Sequence, residues 1–346
     1  MNAIDADTHV LETSETWDFL KADEAKWRPL SIDTDGRQAE WRGAKQLWSI
    51  ESQLIPRGEP SGPGMPPVPV RTMQDPAGRM AAMDRLGTDV QVLISTFFLA
   101  ADIRRSEIQV ALARSYNRWL SARCAGSGGR LRWSIAPPLK DISASVSEIE
   151  WGAANGAASV LMRPLEDKRL LTDPYFYPVY AAAERLNLAI GVHIGNVDTP
   201  IYQNREAVIY SVTPMAGAFV TLFQSDITRQ FPKLRFGFLE AGSEWLPFAL
   251  REISRGVQHG GIRKTVAVGG EPLKGTNFFI ACTMDEDLPH ILKFAGPDNL
   301  VVGTDFGHQD FGTDVNAIEV IAARTDVDPD TTARIINHNG RRLYGL

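Results

Sequence analysis

Three side chains that can bind metal ions occupy alternate positions near the start of the chain: Asp5, Asp7 and His9. In an extended strand alternate side chains point to the same face, so this spacing predicts that the three lie together. Acidic side chains gathered on one face repel one another unless a cation lies among them. The segment therefore predicts half of a metal site, with the other ligands supplied by strand ends later in the chain.

The rest of the chain must supply the strands that carry those ligands. Short apolar runs recur along it, and the segments between them have helical spacing. One such segment predicts a helix after Asp141, with Ile142, Val146, Ile149 and Ala153 on its apolar stripe. Strands that alternate with helices pair in parallel, and eight of them predict an α/β protein with a closed (β/α)8 TIM barrel. The predicted strands are 3–7, 90–95, 131–136, 158–163, 188–193, 234–240, 277–282 and 300–305.

An open, doubly wound sheet is the alternative architecture for this pattern. Such a sheet needs a glycine-rich phosphate-binding turn after its first strand. The sequence Asp7-Thr8-His9 is not a turn of that kind, so the barrel is favoured.

In a barrel the carboxyl ends of all the strands meet in one ring, and several of these ends carry possible metal ligands. His193 ends the fifth strand, Glu240 the sixth and Asp305 the eighth. Together with the three first-strand residues they form a mixed histidine and carboxylate set, which suits Zn²⁺, Fe²⁺ or Mn²⁺. The excess of oxygen ligands makes Fe or Mn plausible and argues against an exclusive preference for zinc.

About 65 residues, 11–75, separate the first strand from the next helical segment. Loops of this length are usually lids or binding elements, and this one leaves the barrel at its C-terminal face, where active sites lie. We therefore predict a single domain, 1–346, with an insertion or lid at 11–75 that covers this face. The tryptophans of the insertion would contact substrate or form a small satellite core; they are Trp17, Trp27, Trp41 and Trp48.

Several phrases of the sequence, in this order, resemble the amidohydrolase superfamily, specifically the branch that includes aminocarboxymuconate-semialdehyde decarboxylase and the resorcylate decarboxylases. The resemblance covers essentially the whole chain. The phrases that carry it are Asp5-Ala6-Asp7-Thr8-His9, Val192-His193-Ile194-Gly195, Phe231-Pro232-Lys233-Leu234-Arg235-Phe236, Gly303-Thr304-Asp305-Phe306-Gly307-His308 and Asn339-Gly340-Arg341-Arg342-Leu343-Tyr344-Gly345.

The resemblance implies a metal site made of Asp7, His9, His193 and Asp305. The sequence departs from the family pattern at two places, because Asp7 and Glu240 stand where histidines are usual. The fourth strand ends in Met162-Arg163 and offers no lysine for the carbamate bridge of some binuclear relatives. The number of metal ions, one or two, therefore remains open. If two ions bind, Glu240 or Asp7 must bridge them.

The resemblance also implies that Asp305 takes a proton from a metal-activated water and returns it to the leaving group. His308, three residues further on, would assist or orient it. Arg163, at the end of the fourth strand, would hold a carboxylate or phosphate of the substrate, or form a structural ion pair with Glu240 or Glu166. An apolar substrate pocket would be lined by Phe97 and Phe98.

Three functions fit these residues. The leading one is a metal-dependent hydrolase that attacks an amide, ester or thioester carbonyl of a bulky hydrophobic substrate. The alternative is a metal-dependent, non-oxidative decarboxylase of an aromatic or enoic acid, in which the metal orients the carboxylate. The third is a barrel that binds a ligand without turnover. It would be preferred if metal analysis found no bound cation and substitutions of Asp7, His9 and Asp305 left ligand binding intact.

The bulk composition limits the classes of partner that we expect this protein to bind. The chain has 346 residues and a net charge of −6, which gives no basic surface for nucleic acid or for an anionic membrane. No apolar run approaches the roughly 20 residues of a membrane span. Two distant cysteines, Cys124 and Cys282, suggest no disulfide framework and fit a cytoplasmic protein. We expect a small-molecule substrate, and the family resemblance makes a homodimer plausible.

Overall fold

A computed structural model describes residues 2–37, 44–57, 65–196, 209–258, 272–308 and 312–346. Eight parallel strands pair in chain order in one sheet. Helices follow these strands, so the predicted (β/α)8 barrel is confirmed. The strands are β1 (Ala3–Val10), β2 (Thr88–Ser95), β3 (Leu131–Ile135), β4 (Ala157–Met162), β5 (Ala189–His193), β6 (Arg235–Leu239), β7 (Phe278–Cys282) and β8 (Leu300–Val302).

The barrel closes between β1 and the segment that follows β8. The amide of His9 donates to the carbonyl oxygen of Phe306 at 2.7 Å, and the amide of Asp305 donates to that of Asp7 at 2.9 Å. Closure therefore depends on backbone groups of residues whose side chains were predicted to bind metal. The first and last strands of the barrel therefore meet where the candidate site lies.

A helix follows each barrel strand, and short turns of helix occupy several loops. The helix Ile142–Ala154 begins as predicted, because the Asp141 carboxylate accepts a hydrogen bond from the Ala144 amide at 2.9 Å. Among the described residues, none of the helices combines the length and the apolar character that crossing a membrane requires. The helices are Ser14–Trp17, Ala22–Trp27, Val68–Arg71, Pro76–Arg85, Phe97–Ala100, Ser106–Cys124, Ile142–Ala154, Pro174–Phe176, Tyr177–Arg185, Ile209–Gln224, Ile227–Gln230, Trp245–Gln258, Leu288–Ala295, Ala317–Ala322, Pro329–Ala333, Arg334–His338 and Asn339–Tyr344.

The apolar core has two layers. A large layer lies between the strands and the helices, and a smaller cluster fills the barrel interior with side chains such as Ala6, Val92 and Ile94. The last helix adds Leu343 and Tyr344 to the inner cluster, and the Tyr344 hydroxyl donates to the Ala6 carbonyl oxygen at 2.5 Å. The barrel is therefore a packed core, and space for chemistry is left at its mouth.

Residues 11–75 contain short helices and a three-stranded antiparallel sheet of Leu30–Asp33, Gln46–Ile50 and Gln53–Pro56. Trp17 and Trp48 are buried and pack edge-to-face against Phe97, just after β2. Both tryptophans therefore belong to the large apolar layer of the barrel, and they do not form the separate satellite core that was one of their two predicted roles. Trp41 lies outside the described residues, and the role of 11–75 as a lid stays a prediction.

Candidate metal centre

Six side chains converge at the carboxyl end of the barrel. In one group of four, each residue offers a ligand atom within 4.8 Å of the others, and a second group shares His9 and Glu240 with it. We call these six residues the donor cluster: Asp7, His9, His193, Glu240, Asp305 and His308. All six were predicted as site residues, and their convergence supports metal binding, which itself stays a prediction.

The ligand atoms face one another closely. His9 Nε2 lies 3.1 Å from His193 Nε2 and 3.1 Å from Asp305 Oδ1. His193 Nε2 also lies 3.3 Å from Asp7 Oδ1 and 3.0 Å from Glu240 Oε2. The three carboxylates are buried, with side chains at most 5% exposed. Three negative charges in so small a volume require a positive charge among them.

The strand ends explain how distant residues meet. Asp7 and His9 belong to β1, and His193 is the last residue of β5. Glu240 directly follows β6 with φ +58°, and Asp305 follows β8 with φ +52°. Residues other than glycine rarely adopt this left-handed backbone conformation, and those that do concentrate at functional sites. Both turns direct a carboxylate into the cluster.

Asp5 does not join the cluster, and an extra residue in β1 is the reason. Asp5 pairs with Gln91 and Thr8 with Leu93, so three steps along β1 match two along β2. This bulge interrupts the alternation that predicted a common face. Ala6 packs in the barrel interior, whereas Asp5 lies beside Gln91, which contacts Arg79 of the outer helix.

The carboxylate of Asp5 instead fixes the turn after β8. It accepts hydrogen bonds from the Thr304 amide at 2.9 Å and from the Thr304 hydroxyl at 2.5 Å. Burial raises the pKa of Asp5 to about 7, although the bonds from Thr304 oppose the shift. Asp5 is thus a support for the loop that carries Asp305, and it is not placed as a metal ligand.

The hydrogen bonds of His193 define which ring nitrogen faces the cluster. His193 Nδ1 lies 2.7 Å from the carbonyl oxygen of Ile194, which can only accept, so Nδ1 carries a proton. The lone pair of neutral His193 is then on Nε2, the atom that faces Asp7 and Glu240. A ring proton held by a backbone carbonyl is the usual support of a metal-binding histidine.

Burial and charge act in opposite directions on these groups. Burial alone would raise the pKa of Asp7, but the adjacent rings of His193 and His9 lower it. Burial would likewise lower the pKa of His193, yet Asp7 and Glu240 raise it well above the usual range. The pKa of His9 is lowered by burial and by the neighbouring His308. The cluster therefore attracts either a proton or a cation at His193 Nε2.

A divalent cation fits this donor set. Asp7 Oδ1 is buried and makes no hydrogen bond within the described structure; its nearest donors are the Nε2 atoms of His193 and His9, the latter at 3.5 Å. A cation would neutralise the carboxylates and use the lone pair of His193. Carboxylate and imidazole ligands without thiolate suit Mn²⁺, Fe²⁺ or Zn²⁺. Whether one or two ions bind stays a prediction.

Asp305 and His308 lie together as expected from their spacing. Asp305 Oδ1 is 2.9 Å from His308 Nδ1, and Asp305 Oδ2 accepts a hydrogen bond from the Thr313 hydroxyl at 2.5 Å. The His308 ring stacks on that of His9 with centroids 3.6 Å apart. Asp305 is therefore fixed by Thr313 and lies against His308 at the mouth of the barrel, where it can move a proton.

Arg163 makes the structural ion pair that was one of its two predicted roles. Its Nη2 lies 2.7 Å from Glu166 Oε2, and its Nη1 donates to the Asn196 carbonyl oxygen at 2.9 Å. The partner is Glu166 and not Glu240, which lies in the donor cluster. Arg163 also lines a cavity of about 320 Å³, so its position is compatible with contact to a substrate in that cavity.

Phe97 and Phe98 occupy different environments. Phe97 is buried against the insertion tryptophans, which places it in the core. Phe98 is half-buried and lines a small cavity with Leu161 and Arg163. Of the two, only Phe98 has the accessible position that the predicted apolar pocket requires.

Sequence reasoning missed residues that surround the cluster. Glu12 is a buried carboxylate that receives hydrogen bonds from the Ser95 hydroxyl and the Phe97 amide. Thr96 contacts His308, and Arg79 donates to the His9 carbonyl oxygen at 2.9 Å. The position of Thr96 directly after a predicted strand was a usable signal. Glu12 and Arg79 gave none, because they lie in a loop and on an outer helix.

A model of the amidohydrolase family matches residues 4–346, and the chain belongs to this family. Similar solved structures cover all of this chain. One is an amidohydrolase from Mycobacterium avium subsp. paratuberculosis, with 18% identity, 98% of that chain covered and a TM-score of 0.78. Another is a 5-carboxyvanillate decarboxylase from Sphingomonas paucimobilis, with 20% identity, 99% covered and a TM-score of 0.70.

A third similar structure is a 5-carboxyvanillate decarboxylase from Novosphingobium aromaticivorans, solved with manganese and 4-hydroxy-3-methoxy-5-nitrobenzoic acid. It is 17% identical, covers 100% of this chain and 96% of its own, and has a TM-score of 0.72. At these identities the similarity shows a shared fold. Together with the family match, it makes this chain an enzyme of the amidohydrolase superfamily.

Proposed function

We propose that this protein is a metal-dependent, non-oxidative decarboxylase of an aromatic or enoic acid. This places the decarboxylase ahead of the hydrolase that the sequence first favoured. The observation that carries the proposal is the buried donor cluster, whose carboxylate and imidazole groups would hold a divalent cation at the mouth of the barrel. The activity named for two structural neighbours, 5-carboxyvanillate decarboxylation, supports the same choice.

A basic cavity has a volume of about 320 Å³. Its wall includes Asn196, three residues beyond His193, and none of the described residues that line it belongs to the donor cluster. Four basic and two acidic side chains line it, and carboxylates lie within ion-pair distance of three of the basic ones: Arg104, Lys140 and Arg163. Basic side chains at the wall would favour an anionic group on the substrate. The charged lining residues are Asp102, Arg104, Lys140, Arg163, Asp167 and Lys168.

The chain's own residues would act on such an acid as follows. A divalent cation bound by the donor cluster would polarise the substrate oxygens. Asp305 would take up one proton from solvent and deliver it to the carbon that bears the carboxylate. The bond from that carbon to the carboxylate then breaks, its electron pair returns to the ring or alkene, and CO₂ leaves. The Thr313 hydroxyl, 2.5 Å from Asp305 Oδ2, would orient the acid during this transfer.

Hydrolysis of an amide, ester or thioester is the second candidate. The same cation would lower the pKa of a bound water, and Asp305 would take its proton and pass it to the leaving group. The carboxylate-rich donor cluster is compatible with both reactions. They differ in products, because only hydrolysis places a solvent oxygen in the acid product.

The test is an incubation of the Mn²⁺-loaded protein with a panel of hydroxybenzoic acids in D₂O, read by CO₂ release and by NMR. We expect CO₂ together with deuterium at the carbon that lost the carboxylate. A parallel panel of amides, esters and thioesters is run in H₂¹⁸O. Turnover of that panel with ¹⁸O in the acid, and no CO₂ from the first, would replace decarboxylation by hydrolysis.

Asp305→Asn tests the proton transfer in whichever panel reacts. Its rate should fall by at least roughly 100-fold, the usual contribution of a positioned acid or base. Circular dichroism should show an unchanged fold. Asp23→Asn, a change at an exposed position of the insertion, is the matched control and should keep the wild-type rate. A near wild-type rate for Asp305→Asn would exclude this role.

A further inference from the structure

Thr96, the first residue after β2, contacts the ring of His308. Its hydroxyl oxygen lies 2.7 Å from His308 Nε2 and 2.9 Å from the carbonyl oxygen of Val10. A hydroxyl has one proton, and a carbonyl oxygen can only accept, so the Thr96 proton points to Val10. Thr96 must then accept a hydrogen bond from His308, and His308 Nε2 carries a ring proton.

The other ring nitrogen of His308 faces the donor cluster. His308 Nδ1 is 2.9 Å from Asp305 Oδ1 and belongs to the group that also contains His9 and Glu240. With the proton on Nε2, neutral His308 presents a lone pair at Nδ1 beside a carboxylate oxygen. Two such electron-rich atoms are brought together when both bind one cation.

We propose that Thr96 is a positioning residue that fixes the proton of His308 on Nε2 and so presents Nδ1 as a ligand to the divalent cation. The inference rests on the proposed function in that the donor cluster holds a metal ion. It gives His308 a role in metal binding in place of the role of assisting or orienting Asp305 that was expected from the sequence. It also assigns a function to the Thr96 hydroxyl.

A competing arrangement makes the opposite prediction. If both nitrogens of His308 were protonated, Nδ1 would donate to Asp305 in a simple ion pair. His308 would then bind no metal, and the loss of the Thr96 hydroxyl would change metal affinity little. The two arrangements are separated by the metal affinity of Thr96 variants and by the proton positions of the metal-loaded protein.

The first experiment titrates Mn²⁺ into metal-free protein by calorimetry. Thr96→Val removes the hydroxyl at nearly constant volume and should weaken Mn²⁺ binding roughly 10–100-fold, the usual effect of losing the partner of a metal-binding histidine. Thr96→Ser keeps the hydroxyl and should bind within about twofold of wild type, because the hydroxyl alone carries the effect.

Thr8→Val is the matched control. The Thr8 hydroxyl also joins β1 to β2, through a 2.9 Å hydrogen bond to the Val92 carbonyl oxygen, but this bond involves no histidine. The control should lose similar stability and keep its Mn²⁺ affinity. Equal affinities for Thr96→Val and wild type would overturn the inference. Equal losses in Thr96→Val and Thr8→Val would also overturn it, because strand packing would then be the cause.

The second experiment reads the ring proton with a diamagnetic cation bound. Imidazole ¹⁵N NMR of Zn²⁺-loaded protein should show His308 protonated on Nε2, with Nδ1 shifted by coordination, and this form should be depleted in Thr96→Val. Protonation of both nitrogens of His308 in Zn²⁺-loaded wild type would contradict the inference. A wild-type protein that binds no Mn²⁺ refutes the metal-dependent function instead, so the two failures are distinguishable.

Discussion

Glu12 couples the stability of the protein to pH through a single buried carboxylate. Its oxygens accept hydrogen bonds from the Ser95 hydroxyl at 2.5 Å and the Phe97 amide at 3.0 Å. Burial nevertheless raises the pKa of Glu12 from 4.5 to about 7, since these bonds only partly offset the loss of water. Between these two values the folded protein retains a proton that the unfolded chain has released.

The folded state therefore loses stability as the pH rises from about 4.5 to about 7, by roughly 3 kcal/mol at most, and then levels off. Glu12→Gln should remove this slope, because its amide can donate to the Ser95 oxygen and accept from Phe97 at every pH. Denaturant unfolding of both metal-free proteins at pH 5 and pH 8 measures the difference. At pH 8 the free energy of unfolding of the variant should rise relative to that of wild type. If the difference between the two proteins is the same at pH 5 and pH 8, Glu12 does not titrate in this window.

The residues of the donor cluster show what sequence patterns can predict at this scale. Asp7 and His9 follow the alternation of a strand, and that pattern alone placed them on one face. Asp5 follows the same pattern but points elsewhere, because one extra residue in β1 shifts the register with β2. The bulge depends on pairing with a strand more than 80 residues away, so a local pattern contains no sign of it.

Close packing between β1 and the end of β8 positions the cluster at the level of elements. A β-carbon added at Gly303 would lie 2.5 Å from the β-carbon of Asp7. Gly307 has φ +119°, and a β-carbon there would lie 2.7 Å from the His9 carbonyl oxygen. The glycines of this segment thus permit the approach that closes the barrel and aligns the first-strand ligands.

Gly303→Ala should displace Asp7 and weaken Mn²⁺ binding roughly 10–100-fold, with a stability loss of about 1–3 kcal/mol from overpacking. Gly217→Ala is the control, since a β-carbon there meets no atom within 4 Å. It lies within the helix Ile209–Gln224 and should stabilise the protein by up to about 1 kcal/mol. Calorimetric titration and thermal unfolding measure both variants. Unchanged Mn²⁺ affinity in Gly303→Ala would show that Asp7 is not held by this contact.

The elements themselves were largely predictable, because the eight apolar runs and the helical spacing between them are local properties. The main difference is at β8, which was predicted to reach 305 and ends at Val302. The chain turns there, and Asp305 adopts a positive φ. Two hydrogen bonds support this turn: the Thr304 amide donates to the Asp5 carboxylate, and the Asp305 amide donates to the Asp7 carbonyl oxygen. The sheet within 11–75 was not predicted, since its strands are short and the first of them, Leu30–Asp33, is exposed throughout.

At the scale of the whole molecule, barrel closure gathers ligands from β1, β5, β6 and β8. This convergence could be predicted once the strands were counted, because parallel strands in a closed barrel end on one face. The contacts of Thr96 with His308, and of Glu12 with the loop after β2, could not be predicted. They depend on how that loop packs on β1. The basic cavity is equally a product of folding: its lining residues are scattered from 102 to 196 in a chain of net negative charge.

The most direct test of this account is the metal content of the protein after chelation and reloading with Mn²⁺, measured by elemental analysis beside a calorimetric titration. Wild type should bind at least one equivalent per chain. His193→Ala should bind more than about tenfold more weakly, because it removes a nitrogen at the centre of the donor cluster. His290→Ala, at an exposed histidine outside the cluster, should match wild type. A wild-type protein without bound metal, or a His193→Ala variant with unchanged affinity, would contradict the account.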